Sequence, residues 1–171
     1  MAAILSGLPA VSDDDLIRMT NQNPGWKIER TDDGRLRLSP THTDGGAKIG
    51  EAFGQLRDYA KRYGGKAYDS STGFKTPRGG VLSPDAAWIS AERVAALSPD
   101  LRRTFRQIAP DVVIEVALNT DSWPDVTAKI DSFYDNGAAY AVAIDPDAEA
   151  VYERGTPPTG LALDLAAITR A

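Results

Sequence analysis

Apolar positions along the chain fall into three patterns. From Trp26 to Leu38 apolar side chains alternate with charged ones on either side of Asp33-Gly34. That period and that turn signal predict a hairpin with half-exposed strands. Further on, Ile49, Ala52, Phe53, Leu56, Tyr59 and Tyr63 recur at helical spacing until Gly64-Gly65 stops them, which predicts an amphipathic helix following Gly45-Gly46. The third pattern is unbroken: Asp111 to Leu118 reads DVVIEVAL, a β-branched run after Pro110, and predicts a strand buried on both faces near the middle of a sheet.

Shorter signals place the remaining elements. Ser12 caps a predicted helix from Asp13 to Met19, with three aspartates at its positive end. Lys66 to Thr76 reads as two short strands broken near Ser71 to Gly73, followed by the turn Pro77 to Gly80 and an apolar strand from Ala86 to Ile89. Residues 91 to 109 read as short helical pieces and a connector. Pro124 suits the first turn of a helix whose inner face carries Val126, Ile130 and Phe133 and which stops at Asn136-Gly137. Tyr140 to Ile144 and Ala150 to Glu153 read as strands around Asp145-Pro146-Asp147, and a short tail follows Gly155 to Gly160. A length of 171 residues predicts a single domain over 1–171, with an N-terminal arm at 1–24 and a core at about 46–154.

Composition narrows the chemistry. The chain has no cysteine and a single histidine, His42, so thiolate sites, disulfides and His-rich zinc sites are excluded and any catalysis rests on carboxylates, hydroxyls, Lys or Arg. A net charge of −5 means that attraction to polyanions must come from a local basic patch. The N-terminus lacks a basic signal-peptide region, and no run approaches the ~20 apolar residues of a spanning helix. A cytoplasmic protein without a membrane segment is the expectation.

Glu115 interrupts the most apolar strand, where an ionised carboxylate is costly unless paired or bound to a cation. A salt bridge to a neighbouring basic residue would satisfy it equally. Asp111 shares its strand face but lies ~13 Å away at the usual rise, too far to share one small ion. A second carboxylate must come from an adjacent strand, and Asp85, at the entry to the Ala86 strand, is the best candidate. Two converging carboxylates without histidine suit Mg²⁺ or Mn²⁺. Lys129 borders the apolar stripe of the following helix, where it reads either as the ammonium that completes such a site or as an ordinary snorkelling lysine.

The strings AYDSSTGFKTPRGGVLSPDAAWIS, APDVVIEV and KIDSFYDNGAAYAVAIDPDAEAVYER, in that order and spacing, resemble the Uma2 (Uma-two) restriction endonuclease family, a branch of the PD-(D/E)-x-K nuclease superfamily. The resemblance covers roughly Gly46 to Arg154. It implies an α/β, restriction-endonuclease-like fold: a mixed β-sheet flanked by helices, elaborated here by the N-terminal hairpin. By that resemblance Asp85 and Glu115 match the metal-binding acids. Lys129 matches the family lysine, displaced from the position two residues after the glutamate where this chain has Ala117. Glu51 matches a family acid on the first core helix, although on a helical wheel it falls with Gln55, Asp58 and Arg62 opposite Ile49, Phe53 and Leu56. Leu118-Asn119-Thr120-Asp121 departs from the family's Ser-Pro-Ser-Asp type turn beside the metal.

The implied function is Mg²⁺- or Mn²⁺-dependent hydrolysis of nucleic-acid phosphodiesters, with DNA as the expected substrate and a homodimer as a possible assembly. A non-catalytic member that binds nucleic acid or protein is the alternative, and a two-carboxylate glycosidase is disfavoured because the acids converge rather than flank a cleft. Candidate nucleic-acid contacts are Lys61, Arg62 and Lys66, then Lys75 and Arg78, then Arg102, Arg103 and Arg106, three scattered groups that read more readily as solvated surface. Trp26, Trp88 and Trp123 are candidates for base stacking, with Trp88 placed by its apolar context in the core.

Overall fold

The computed structural model describes residues 3–40, 44–97, 105–119 and 121–171, without the side chains of Asp44 and Arg106. His42, Arg102, Arg103 and Thr120 therefore lie outside the described residues. Strands β9 (Val112–Val116) and β10 (Tyr140–Asp145) run parallel at the middle of a five-stranded sheet. The antiparallel strands β7 (Ala86–Ile89), β4 (Lys66–Asp69) and β11 (Ala150–Gly155) complete it in the order β11-β10-β9-β7-β4. Every residue of β9 is buried, as its unbroken β-branched run requires.

The two faces of this sheet are covered differently. On one face lies helix α2 (Asp44–Tyr63), whose Ala52, Leu56 and Tyr59 pack on Ala86, Trp88, Val112, Ile114 and Val116. That helix begins at Asp44, ahead of the glycine pair it was expected to follow. Gly45 lies within its first turn because a side chain there would run into Leu118, which would approach an added Cβ to 2.3 Å. At the other end Gly65 has a positive φ of 84° and backs onto the Ile89 carbonyl and the Trp88 indole, whose Nε1 donates to Gly64 O. Trp88 is core. On the opposite face α4 (Trp123–Asp135) packs Val126, Ile130 and Phe133 against Val113, Ala141 and Ala143. Pro124 sits in its first turn and Asn136-Gly137 ends it, as expected.

A second sheet departs from the expected peripheral hairpin. Strands β2 (Trp26–Arg30) and β3 (Leu36–Pro40) pair around the Thr31–Arg35 turn. They continue through β6 (Val81–Leu82), β5 (Phe74–Lys75) and β8 (Arg106–Gln107) on one side and β1 (Ala3–Leu5) on the other. With neighbours on both edges, β2 buries Ile28, Glu29 and Arg30 rather than leaving them half exposed. Ile28 joins Leu36 and Val81 in a core under α1 (Asp13–Gln22). Ser12 caps α1 by accepting from Asp15 N at 3.1 Å, while the Asp15 carboxylate accepts from Ser12 N.

Between residues 91 and 109, α3 (Ala91–Ala95) supplies one helical piece before β8. The C-terminal tail is more ordered than its composition suggested. Helix α5 (Leu165–Arg170) docks on α2 through buried Ile168, and the Gln55 amide both donates to and accepts from the Asp164 backbone. No described helix is long and apolar enough to cross a membrane.

Candidate active site

The antiparallel register of β7 and β9 decides the geometry of the acids. Ala86 faces Ile114, so one step beyond the ladder brings Asp85 opposite Glu115 on the same side of the sheet. Directly opposed residues have Cβ atoms about 5 Å apart, and both side chains line one cavity of about 90 Å³. Asp85 Oδ2 accepts from Val116 N at 3.0 Å, which fixes that carboxylate against the backbone of the neighbouring strand. Glu115 points away from α2, toward α4, because side chains alternate along β9 and Ile114 and Val116 occupy the other face.

Lys129 reaches the same place from α4. Its ammonium donates to Ser83 O at 2.8 Å and lies 2.9 Å from both Glu115 Oε1 and Glu29 Oε1. Sequence reasoning missed Glu29 and Lys27, the two residues that β2 carries into the site. Glu29 also accepts from Ser83 N at 2.6 Å, and Lys27 Nζ lies 3.2 Å from Asp85 Oδ1. Asp85 at 8 %, Glu115 at 6 %, Lys129 at 5 % and Glu29 at 1 % exposure form a largely buried charged cluster between the two sheets and α4. The available signal was the W-K-I-E-R alternation, which places Lys27 and Glu29 on one face; what was missing was the sheet on the other side of that face.

Burial and charge act on these groups in opposition. Desolvation pushes the Glu115 carboxyl up to about 7, and the Asp85 and Glu29 charges reinforce it against the pull of Lys129 and Lys27. Desolvation would raise Glu29 as well, yet Lys129 and Lys27 outweigh it and hold that group below the usual carboxylate range. For Lys27 burial acts downward, and Asp85, Glu29 and Glu115 together overcome it to raise the ammonium above its ordinary value. Although Lys129 is within ion-pair distance of Glu115 Oε1, that buried oxygen has no aligned hydrogen-bond donor among the described residues. An acceptor left so is destabilising unless something else meets it.

This donor set fits a hard divalent cation. The cavity is lined by five acids, Glu29, Asp85, Glu115, Asp121 and Asp125, against three basic residues, Lys27, Arg37 and Lys129. No group of three acids among the described residues has the spacing of a complete protein cage. Mg²⁺ accepts such an arrangement because it keeps several waters and takes only one or two carboxylates from the protein. The cavity volume admits an ion and a few waters, each occupying about 30 Å³. The departing turn lines its rim: Leu118 N donates to Asp121 Oδ2 at 3.0 Å, and Arg37 donates to the Asp125 carbonyl at 2.9 Å.

The structure thus brings Asp85, Glu115 and Lys129 together and leaves Glu51 apart. Glu51 lies on α2, across the sheet from Glu115, where it accepts from Gln55 at 3.1 Å and borders a groove with Leu161 and Asp164. The reason is the wheel position: Ala52 and Leu56 must face the sheet, which turns Glu51 toward α5. Of the basic candidates, Lys61 pairs with Asp58, Lys75 with Asp13, and Arg62 borders the α5 groove. Lys66 is exposed on β4 and Arg78 borders a cleft beside α4, so these side chains lie on separate elements. Trp123 packs against the α4 core and Trp26 is exposed.

Comparison with known proteins identifies the family and the fold. The family model described as "Uma2: Putative restriction endonuclease" matches residues 13–159. No curated protein matches the chain. A solved structure described as "a putative nuclease belonging to DUF820" from Anabaena variabilis superposes with a TM-score of 0.65 at 16% identity, over 84% of this chain and 89% of that one. At that identity the likeness establishes a shared fold, restriction-endonuclease-like and mixed α/β.

Proposed function

Because the chain belongs to the Uma2 family, we propose that it is a metal-dependent endonuclease that hydrolyses phosphodiester bonds in DNA. One observation carries the reading: Asp85 and Glu115 come from neighbouring strands into a single cavity, with the Lys129 ammonium 2.9 Å from Glu115. Mg²⁺ or Mn²⁺, held by these two carboxylates, would supply Lewis acidity and a water acidified for attack. The protein's own groups do the rest. Lys129, anchored by Glu29 and the Ser83 carbonyl and 2.9 Å from Glu115, orients the attacking water or bears on the phosphate. Lys27 adds a second ammonium on the cavity wall, which stabilises charge growing on the phosphate oxygens. The water oxygen bonds to phosphorus as one P–O ester bond breaks, leaving a phosphomonoester and a hydroxyl.

The test is a cleavage assay on DNA and RNA with Mg²⁺, Mn²⁺ or EDTA, run beside Asp85→Ala. Metal-dependent DNA cleavage lost in EDTA and in the variant is the expected result. Cleavage that persists in EDTA, or that Asp85→Ala leaves unchanged, overturns the reading. The contact of Lys27 with Asp85 favours a second one, a non-catalytic binding member in which a fixed ammonium takes the place of the metal. In that case Lys27→Ala gains Mn²⁺ binding that the wild-type chain lacks, measured by calorimetry.

A further inference from the structure

The candidate catalytic cavity, at about 90 Å³, is small beside a nucleotide. Asp85, Glu115 and Glu29 are each at most 8 % exposed within it, so a phosphodiester must approach them closely while its base lies elsewhere. Beside the cavity lies a much larger cleft of about 440 Å³, bounded by α1, the start of β2 and the β4–β5 turn. Lys27 lines both spaces, and Ser83, whose carbonyl and amide hold Lys129 and Glu29, lines the cleft. The two spaces therefore share a wall one residue thick.

Resting on the nuclease reading above, we propose that this cleft holds an unstacked nucleobase of the substrate strand, against Trp26, next to the phosphodiester presented to Asp85 and Glu115. Its lining combines aromatic and aliphatic side chains, Trp26, Phe105 and Ile17, that suit a ring face with hydroxyl and amide groups, Thr20, Asn21 and Ser70, that suit a base edge. Trp26 is 44 % exposed at the start of a strand whose next four residues are half-buried or buried. Energetics favour the same occupant. With a net charge of −5, the molecule as a whole does not attract polyanions, so contacts that do not depend on global charge carry weight in binding. Base–aromatic stacking supplies about 1–3 kcal/mol per base and tolerates any sequence. Enzymes that bring a base into a pocket extrude the nucleotide from the stack or act on unpaired strand. Unpaired or easily opened DNA is accordingly the preferred substrate.

The experiment measures binding of a labelled single-stranded DNA octamer by fluorescence anisotropy, in EDTA and in Ca²⁺, so that affinity is read without turnover. Wild type, Trp26→Ala and Trp26→Phe are compared on the octamer and on an octamer of abasic sugar–phosphate. Trp26→Ala is expected to weaken binding to the normal octamer by roughly 5- to 140-fold, the range that stacking of one base provides. Trp26→Phe should restore most of that loss, and the abasic octamer should bind all three proteins alike. Wild type and Trp26→Ala binding the normal octamer equally, or losing equally on the abasic one, overturns the proposal, as does absence of binding in both buffers. Failure of the nuclease reading is separate. It would appear as no cleavage by wild type in Mg²⁺ or Mn²⁺ while the Trp26 effect on binding remained.

Discussion

The two faces of strand β9 have opposite characters. Toward α2 it presents Val112, Ile114 and Val116 to an all-apolar layer; toward α4 it presents Val113 and then Glu115, inside a cluster of acids and ammoniums. Five residues of one strand thus serve apolar packing on one side and enter a charged cluster on the other, because side chains alternate and the two covering layers differ. The apolar face is stabilised by burial alone. The charged face is held by Coulombic pairs that offset, incompletely, the cost of removing four ionic groups from water. Substitutions on the two faces should separate activity from stability.

The largest effect belongs to the charged face. Glu115→Gln and Asp85→Asn should each lower metal-dependent cleavage by about 10³-fold or more, equivalent to about 4 kcal/mol of barrier. Both variants should remain folded, and for Glu115→Gln the thermal midpoint in EDTA should be equal to or above that of wild type, since a neutral amide there removes repulsion from Asp85 and Glu29. Single-turnover kinetics and melts check the two halves independently. A strongly destabilised variant that still cleaves normally would mean that these acids serve the fold.

Across the strand, Ile114→Ala should cost about 2–5 kcal/mol of stability, the usual range for a fully buried large-to-small change. Chemical denaturation measures it, and kcat per folded molecule should stay near the wild-type value. Lys129→Met should mix the two behaviours. It leaves Glu29 and Glu115 buried without their shared cation, a loss on the order of 3–5 kcal/mol, and removes the ammonium that faces the reacting groups.

Acidity provides a finer separation. Glu115 has a folded-state value of about 7, above the ordinary 4.5, so the metal-free folded chain holds a proton that the unfolded chain has released. The stabilisation this confers is complete below about pH 4.5 and is lost as pH rises through 7. Metal binding needs the carboxylate, so Mn²⁺ affinity should rise with pH toward 7 and level off above it. Glu115→Gln should flatten both profiles, and Ile114→Ala should leave their shapes unchanged. Melting curves and Mn²⁺ titrations between pH 5 and pH 8.5 would show it. A wild-type stability that climbs through this window by the same amount as in Glu115→Gln would place the titration elsewhere.

The sequence displays one of these faces better than the other. Glu115 was conspicuous because charge is rare in a β-branched run, and Lys129 because it borders the Val126, Ile130, Phe133 stripe. Asp85 could be chosen by elimination, since Asp111 lies too far along the same strand. Lys27 and Glu29 were hidden by an alternation that fits a solvated hairpin as well as a strand roofed by a second sheet. Only the pairing of β2 with β6, more than fifty residues later, distinguishes the two. Strand β1 and helix α5 escaped for a related reason: three residues and six residues carry too little periodicity, and their burial is set by β3 and α2.

The smallest expected effects lie at the outer side of α2, and they bear on the one site candidate that the structure sets apart. Gln55 makes two hydrogen bonds to the Asp164 backbone at 2.8 and 3.1 Å, both at the surface. Their loss in Gln55→Ala should cost about 1 kcal/mol and loosen α5, visible as faster amide exchange over 164–170. Glu51 stands one turn away, accepting from Gln55 with the sheet between it and Glu115. Glu51→Gln keeps the shape and a hydrogen-bond acceptor while removing the charge, so cleavage should stay within about twofold of wild type, a difference below 0.5 kcal/mol. An effect through metal or water would instead require that carboxylate to reach the opposite face of β9. A tenfold or greater loss of kcat in Glu51→Gln, with an unchanged melt, would show that α2 contributes to the chemistry and that the two faces are not separate.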